Sequence, residues 1–288
     1  MRYLIRHETR LRFPEPVREH QCELRLVPRA HPGQTVVRAE VAVEPAAELL
    51  RYVDCYRNVV HAFSLIEPHD MLVTRLEAEV ETALANPFDF EPVPSAREQA
   101  WIADALGSEP RLYDFVLSRS AAVPALPAAL GELAFPTHAW SRPLLDALQE
   151  AVAWIRDTFT YDPDATHVHA TLAEVVALRA GVCQDFTHLL IAIARAWGVP
   201  ARYVVGYQDP GNGDDAVPAQ ATHAWAEVLI PGAGWRGFDV THGLLVNDRY
   251  VCVAIGRDSR DAAPQRGSMK GADGSGVPDV HVEVVQQQ

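Results

Sequence analysis

The chain has 288 residues, 48% of them hydrophobic and 22% charged, which is typical of a folded globular protein and excludes a disordered or fibrous one. This length exceeds what one hydrophobic core usually organises, so we expect two domains. A net charge of −13 argues against a basic surface that follows phosphates, and we expect no nucleic-acid partner.

The sequence also bears on membranes and redox state. It has no apolar run of about 18 residues, and charges interrupt the first ten positions, so we expect a cytoplasmic protein with no membrane contact. Its four cysteines are scattered without a Cys-x-x-Cys pair, which favours reduced thiols over a disulfide framework or a zinc knuckle. No cofactor is expected, and the oligomeric state stays open.

Residues 1–76 alternate between apolar and polar positions in short runs separated by prolines and glycines. This pattern predicts an antiparallel β domain, a sandwich or small barrel, with one face buried. The runs are residues 3–13, 22–27, 35–43 and 59–66. The histidines of this segment lack the spacing of metal ligands, so we interpret them as surface or hydrogen-bonded core residues: His7, His20, His31, His61 and His69.

Residues 77–139 carry a weaker signal and are interpreted as a helical connector. Short helices are predicted from Glu98 to Leu106 and from Leu112 to Ser118. The Ala/Pro-rich stretch from Ala121 to Leu130 has too little periodicity for a helix and is taken as linker.

Residues 140–288 are predicted to form the second domain, which starts with helices. Leu144 to Phe159 has amphipathic helical spacing, and Thr171 can cap a short helix with Glu174 three residues on. A further helix is predicted from Cys183 until Gly198, because glycine favours the left-handed conformation that ends helices.

After Pro200 the apolar period changes from 3.6 to 2, which predicts strands at residues 202–207, 222–230, 234–240, 249–255 and 277–285. A hairpin turn is expected at residues 231–234 and a mobile loop at 209–215. Helices followed by an antiparallel sheet make the second domain α+β.

Cys183 is the first candidate for chemistry. It lies in the first turn of its predicted helix, where unpaired backbone N–H groups and the helix dipole favour an anion such as a thiolate. The alternative is that Cys183 is a small buried apolar residue, which is the commoner role of a free cysteine. A base and an orienting acid elsewhere in the chain are needed to favour the nucleophile.

The predicted hairpin brings such partners together. His223 lies before the turn and Asp239 after it, so the two side chains come close to facing one another. His188 and His242 are alternative bases; His188 is turned about 140° away from Cys183 on its helix, and His242 lies in a turn after Asp239.

Four stretches around these residues resemble the core motifs of bacterial transglutaminase-like proteins. They are Gly181-Val-Cys-Gln-Asp185, Gly198-Val-Pro-Ala-Arg-Tyr203, Thr222-His-Ala-Trp-Ala-Glu227 and Gly234-Trp-Arg-Gly-Phe-Asp239. Leu24-Arg-Leu-Val-Pro-Arg29 and Val253-Ala-Ile-Gly-Arg-Asp258 are similar to the amino-terminal domain and a late strand of the two-domain members.

This resemblance implies a papain-like core in which Cys183 is the nucleophile, His223 the general base and Asp239 the residue that orients it. The sequence departs from the family after Asp239, where Val240-Thr241-His242 replaces the usual Pro-Thr-Asn. The missing proline is expected to affect the backbone beside Asp239, and the added imidazole to bind a metal or alter the pH profile.

Other residues near Cys183 have more than one interpretation. Asp185 is taken as an anchor of the helix start, because a carboxylate facing Cys183 would oppose a thiolate. Gln184, Trp225 and His242 are candidates for substrate binding: Gln184 through an amide donor, and Trp225 as a wall of the site.

The resulting hypothesis is thiol-dependent acyl transfer on peptide or protein amides, by a peptidase, an amidase or a transglutaminase. One alternative is a binding or assembly module that keeps the fold without catalysis. Another is a metal-binding protein using His223, His242 and either His167 or His169, although the His-x-His at 167 and 169 lies in a predicted loop and lacks the second pair that a closed zinc site needs.

Overall fold

One long strand organises the amino-terminal sheet. In the computed structural model, which describes residues 1–126, 133–209, 211, 222–271 and 278–287, strand β1 spans Arg2–Leu24. The sequence predicted two strands here, because Pro14 and Pro16 cannot donate to a ladder. That prediction is wrong: pairing with the neighbouring strand breaks between Arg12 and Val17, but the chain runs on in extended form.

The sheet has the order β2-β5-β1-β4-β3, with all pairs antiparallel. It curves into a half-barrel, and the predicted α+β class is confirmed. Its other strands are β2 (Gln34–Glu44), β3 (Leu50–Val53), β4 (Val59–Leu65) and β5 (His69–Thr82).

The carboxyl-terminal strands return to this same sheet. We expected residues 277–285 to extend the second sheet; instead β14 (Asp279–Gln287) pairs with the first half of β1. Strand β13 (Gln265–Lys270) pairs with its second half. Strand β5 spans His69–Thr82 and so continues past residue 76, where the sequence pattern of the first domain was taken to end. The carboxyl-terminal strands reach this sheet because each half of β1 has a second edge. In the first half β5 pairs with one edge and β14 with the other; in the second half β4 pairs with one edge and β13 with the other.

The second sheet has the order β11-β10-β9-β8-β12 and is antiparallel throughout. Its members are β8 (Ala201–Gln208), β9 (His223–Ile230), β10 (Gly234–Asp239), β11 (Leu244–Leu245) and β12 (Tyr250–Gly256). The predicted hairpin is present, with Gly234 paired to Ile230. Most of the loop expected at 209–215 lies outside the described residues, as does the end of the stretch 121–130.

The helices follow the sequence periodicity closely. They are α1 (Ser95–Ser108), α2 (Asp114–Leu117), α3 (Leu144–Thr158), α4 (Leu172–Leu178) and α5 (Cys183–Ala196), with a 3₁₀ turn at Pro110–Tyr113. The predicted capping box of α4 forms: Thr171 accepts a hydrogen bond from the Glu174 N–H, and the Glu174 carboxylate accepts one from the Thr171 N–H. Two short parallel strands, β6 (Thr160–Tyr161) and β7 (Ala180–Gly181), lie beside the start of α5.

Helix α5 is the centre of the second core. It packs on β8, β9 and α3, and its residues from Asp185 to Arg195 are buried on every side rather than on one apolar face. Gly198 ends the helix at φ 78°, a conformation that glycine adopts without steric cost. Among the described helices, none is long and apolar enough to cross a membrane.

Three histidines of the first sheet are buried and hydrogen-bonded, which is one of the two roles expected for the histidines of this segment. His7 bonds to the Tyr207 hydroxyl at 3.0 Å and so joins the two sheets. His20 and His69 are stacked, with ring nitrogens 3.2 Å apart. These side chains support packing between the strands and the second core.

Candidate active site

The start of α5 is fixed by a buried carboxylate. Asp185 accepts hydrogen bonds from the Val182 N–H at 2.9 Å and the Thr166 hydroxyl at 2.6 Å. Gly181 leaves room for it, since a Cβ at that position would lie 2.8 Å from the carboxylate oxygen. Burial raises the pKa of Asp185. This geometry agrees with the anchoring role expected for Asp185 and places Cys183, half-buried, at the first position of the helix.

The hairpin of β9 and β10 brings His223 to Asp239. Phe238 pairs with Ala226, so Asp239 is in register with Trp225 rather than with His223. The side chains nevertheless meet: His223 Nε2 lies 2.8 Å from Asp239 Oδ2. Asp239 is 0% exposed, which makes an unpaired charge there very costly, and the imidazole supplies its partner.

His223 is held between this carboxylate and Cys183. Burial disfavours the imidazolium, but the hydrogen bond to Asp239 and the neighbouring Cys183 side chain outweigh that cost and raise the pKa of His223 to about 10. Because Nε2 bonds to Asp239, Nδ1 is the nitrogen that remains for the sulfur. The arrangement favours a protonated imidazole beside a sulfur atom at neutral pH.

The carboxylate receives two further donors through the same oxygen. His242 Nδ1 and the Tyr250 hydroxyl each lie 2.7 Å from Asp239 Oδ2, and the His242 N–H lies 3.2 Å from Oδ1. Burial opposes the charged form, but the hydrogen bonds of both imidazoles hold the pKa of Asp239 well below its usual range. Burial and the neighbouring carboxylate raise the pKa of Tyr250, so its hydroxyl stays a neutral donor.

Sequence reasoning missed Tyr250. It lies in a predicted strand whose other residues are mostly apolar, and a hydroxyl in that setting is the available signal that a buried partner is needed. Which partner it meets depends on the pairing of β12 with β8, since Tyr250 is opposite Gln208 in that register. The Gln208 amide donates to the Tyr250 hydroxyl at 3.0 Å.

The structure separates the three candidate bases. His188 is buried, its Nε2 accepts a hydrogen bond from the Ser259 N–H at 3.2 Å, and burial lowers its pKa to about 4. It is the packing residue that its turned-away position indicated. His242 is 45% exposed and bonds to Asp239, and Cys183 is not among its hydrogen-bond partners in the described residues.

Val240, which replaces the family proline, is buried beside this group. Asp239 still reaches His223 at 2.8 Å, so the expected effect of losing the proline does not separate these two side chains. The other departure, the imidazole of His242, bonds directly to Asp239.

The other predicted substrate-binding residues are in different surroundings. The Gln184 amide donates to the Val168 carbonyl at 3.0 Å, close to the helix start. Trp225 is 1% exposed and packs edge-on against Tyr250, with its ring centroid 6.4 Å from that of His223. In this structure it therefore supports His223 from the interior, whereas His242 reaches solvent.

His223, Asp239 and His242 also meet the geometric requirement for a metal ion, since their ligand atoms all lie within 4.8 Å of one another. His223 Nε2 and His242 Nδ1, the two nitrogens of this group, are already hydrogen-bonded to Asp239. Two imidazoles and one carboxylate are also fewer ligands than the four of a closed zinc site. The predicted partners His167 and His169 are outside this group; His167 Nδ1 accepts a hydrogen bond from the His169 N–H instead.

Relatives of known sequence match over nearly the whole chain. An uncharacterized protein of Mycobacterium tuberculosis is 33% identical over 99% of this chain and 92% of its own length. Another from Mycobacterium leprae is 31% identical over 99% of both. The protein-glutamine gamma-glutamyltransferase of Pseudomonas aeruginosa is 30% identical over 118 residues, which are 40% of this chain and 18% of that protein.

A solved structure shares the fold. The crystal structure of "a Putative Cysteine Protease from Cytophaga hutchinsonii" aligns with a TM-score of 0.66 over 99% of this chain and 90% of that one, at 21% identity. Family profiles match both parts of the chain: the bacterial transglutaminase-like N-terminal region at residues 3–81, and the transglutaminase-like superfamily at residues 131–240. The chain therefore belongs to the bacterial transglutaminase-like family.

Proposed function

We propose that this protein is a thiol-dependent acyl-transfer enzyme that acts on peptide or protein amides. The observation that carries the proposal is the position of His223, whose imidazole is hydrogen-bonded to the buried Asp239 carboxylate and lies near enough to Cys183 for that side chain to raise its pKa. A nucleophile, a base and an orienting acid in this order are what cysteine-based acyl transfer requires.

The proposed reaction begins with the Cys183 thiolate and the His223 imidazolium. The sulfur attacks the amide carbonyl and a C–S bond forms, while the oxyanion is stabilised by backbone N–H groups at the start of α5, which have no intrahelical acceptor. His223 then protonates the leaving amine and the C–N bond breaks. Asp239 keeps the imidazole oriented and stabilises its positive charge.

The second half of the reaction resolves the acyl-enzyme. Water or an amine gives its proton to His223 and attacks the acyl carbon; the C–S bond breaks and the thiolate returns. Hydrolysis makes the protein a peptidase or amidase, and amine capture makes it a transglutaminase. The names of similar proteins include both outcomes. The structure that shares the fold is titled "a Putative Cysteine Protease", and the relative that matches part of the sequence is a protein-glutamine gamma-glutamyltransferase.

Selective alkylation tests the proposal. At pH 7 iodoacetamide should label Cys183 far faster than the exposed Cys55 or the buried Cys22 and Cys252, measured site by site by peptide mass spectrometry. Cys183→Ala should remove the fast phase. If Cys183 reacts no faster than Cys55, the alternative of a non-catalytic binding or assembly module gains support instead.

A second candidate function is metal binding, because His223, Asp239 and His242 converge. Metal bound there would withdraw His223 Nε2 from Asp239. Under the acyl-transfer proposal, EDTA leaves the fast labelling of Cys183 unchanged. If EDTA greatly slows the labelling of Cys183 and added zinc restores its rate, the metal-binding function is favoured.

A further inference from the structure

A cavity of about 500 Å³ lies where the two sheets meet, which is within the ~300–1,000 Å³ of small-molecule sites. The loop at residues 31–34 and the end of β5 form one side of it. Strands β9, β10 and β12 of the second sheet form the other. The cavity is thus built from both parts of the chain and is separate from the Cys183 sulfur, which does not line it.

Aromatic rings form the walls of this cavity. Trp225, Trp235 and Tyr250 all line it. The Arg202 guanidinium lies 4.0 Å from the centroid of the Trp235 ring, and it is paired with Glu227 at 2.6 Å. Surfaces of this kind favour a planar aromatic molecule, because a ring stacks on indole and phenol faces with little loss of conformational freedom.

The indole N–H of Trp225 has no hydrogen-bond acceptor among the described residues, although Trp225 is 1% exposed. The edge of the indole that carries this N–H faces Gly237, which also lines the cavity: a Cβ at Gly237 would lie 3.1 Å from Cδ1, the atom bonded to Nε1. A buried donor without an acceptor is costly. A ligand with an oxygen acceptor would remove that cost.

The charges around the cavity favour an anion. Three arginines line it, against two carboxylates: Arg29, Arg202 and Arg236, and Glu227 and Asp248. This local excess of positive charge contrasts with the net charge of −13 for the whole chain. An anionic ligand is therefore attracted to this opening more than to the rest of the surface.

We propose that this cavity is a second binding site, for a small planar aromatic carboxylate, and that its occupancy is coupled to the active site through Tyr250. Tyr250 lines the cavity and also donates to Asp239 at 2.7 Å. Trp225, the other shared wall, packs edge-on against Tyr250 and lies next to His223. A ligand that shifts either ring changes the support of His223. The binding step is independent of the proposed function, whereas the coupling rests on it.

The test uses the full chain labelled with ¹⁵N and sodium 2-naphthoate as the probe. The six tryptophans give six indole N–H signals, and Trp225→Phe assigns the one of interest. That signal should shift saturably, while the signal of Trp197, whose N–H donates to the Pro136 carbonyl at 3.1 Å, stays in place. Neutral 2-naphthylmethanol should bind at least about tenfold more weakly.

Two exposed alanines provide a matched pair of variants. Ala83 lines the cavity and Ala85 does not, and both are exposed, so a larger side chain is tolerated at each. Ala83→Phe should weaken 2-naphthoate binding at least about tenfold, and Ala85→Phe should bind like the unmodified protein. The binding proposal is overturned if the Trp225 signal does not shift at millimolar probe, if all indole signals shift alike, or if both variants bind equally.

The coupling is tested by the iodoacetamide rate at Cys183. Saturating 2-naphthoate should change that rate at least about twofold in the unmodified protein and in Ala85→Phe, but not in Ala83→Phe. An unchanged rate with a shifted Trp225 signal overturns the coupling and upholds the site. If Cys183 is unreactive without the probe, the proposed function has failed, and the Trp225 signal alone decides the cavity.

Discussion

Two cysteines of the second half of the chain show how differently the fold treats the same side chain. Cys252, in the middle of β12, is 6% exposed, and burial raises its pKa to about 12. Cys183 is half-buried at the first position of α5, and its side chain is one of the groups that raise the pKa of His223. The Cys252 thiol therefore contributes to packing, whereas the Cys183 thiol lies beside an imidazole.

The difference comes from the elements that carry the two residues. Strand β12 is the edge strand of the second sheet, but it is covered: the Cys252 N–H and carbonyl are both bonded to the Gln34 side chain, which connects the second sheet to the first. The first N–H groups of a helix such as α5 have no intrahelical acceptor. His223, the first residue of β9, approaches this helix start. Under the proposed function, the reactivity of Cys183 depends on this helix start meeting the His223 imidazole, and substitutions at His223, Asp239 and Tyr250 each test one part of that contact.

The largest effect is expected from His223→Ala. Without the imidazole, Cys183 loses its proton acceptor and its positively charged neighbour, so turnover of an amide substrate should fall by roughly 10²–10⁴. Iodoacetamide labelling at pH 7 should slow until Cys183 resembles an ordinary exposed thiol such as Cys55. The rates are measured by mass spectrometry of the separate cysteine peptides.

His242→Ala is the matched control for that variant, because His242 is bonded to the same carboxylate oxygen but on the exposed side. It should slow labelling by less than about tenfold, since Asp239 keeps His223 and Tyr250 as partners. Equal losses in the two variants would contradict the assignment of His223 as base. A larger loss in His242→Ala would transfer that role to His242.

An intermediate effect is expected from Asp239→Asn. The amide keeps the size of the side chain but removes the charge that stabilises the His223 imidazolium, and hydrogen bonds to charged groups contribute about 1.5–3 kcal/mol. Labelling at pH 7 should therefore slow by roughly 10–150-fold. Because the imidazolium is less favoured, the pH at which labelling reaches half its maximum should move upward. A downward shift would show that the carboxylate opposes the thiolate more than it supports the imidazole.

The sequence predicted local elements well and long-range partners poorly. Periodicity identified α3, α5 and the hairpin of β9 and β10, because their apolar patterns and turn residues are local. The prediction failed for β1, where two prolines indicated the end of a strand but the strand continues past them. It also failed for β14, whose partner strand lies at the opposite end of the chain. A strand's own pattern shows that one face is buried but not which distant strand covers it.

The same limit applies to the site. The motif resemblance selected Cys183, His223 and Asp239 together, and in the structure His223 is hydrogen-bonded to Asp239 at 2.8 Å while Cys183 is one of the groups that raise the His223 pKa. The convergence of His242 and Tyr250 on one oxygen of Asp239 could not be foreseen, because it depends on a turn conformation and on the pairing of β12 with β8. Spacing along the chain carries no information about either.

The smallest effect is expected from Tyr250→Phe, which removes one of several donors to Asp239 without changing packing. The buried carboxylate loses a hydrogen bond of 2.7 Å, and the free energy of unfolding in urea should fall by about 1–3 kcal/mol. Tyr52→Phe is the control, since Tyr52 donates to Glu23 at an exposed position and its loss should cost less than about 0.5 kcal/mol. Labelling of Cys183 should change only a few-fold in Tyr250→Phe, because His223 keeps its own bond to Asp239. A loss as large as that of Asp239→Asn would mean that the phenol, and not only the carboxylate, maintains the difference between Cys183 and Cys252.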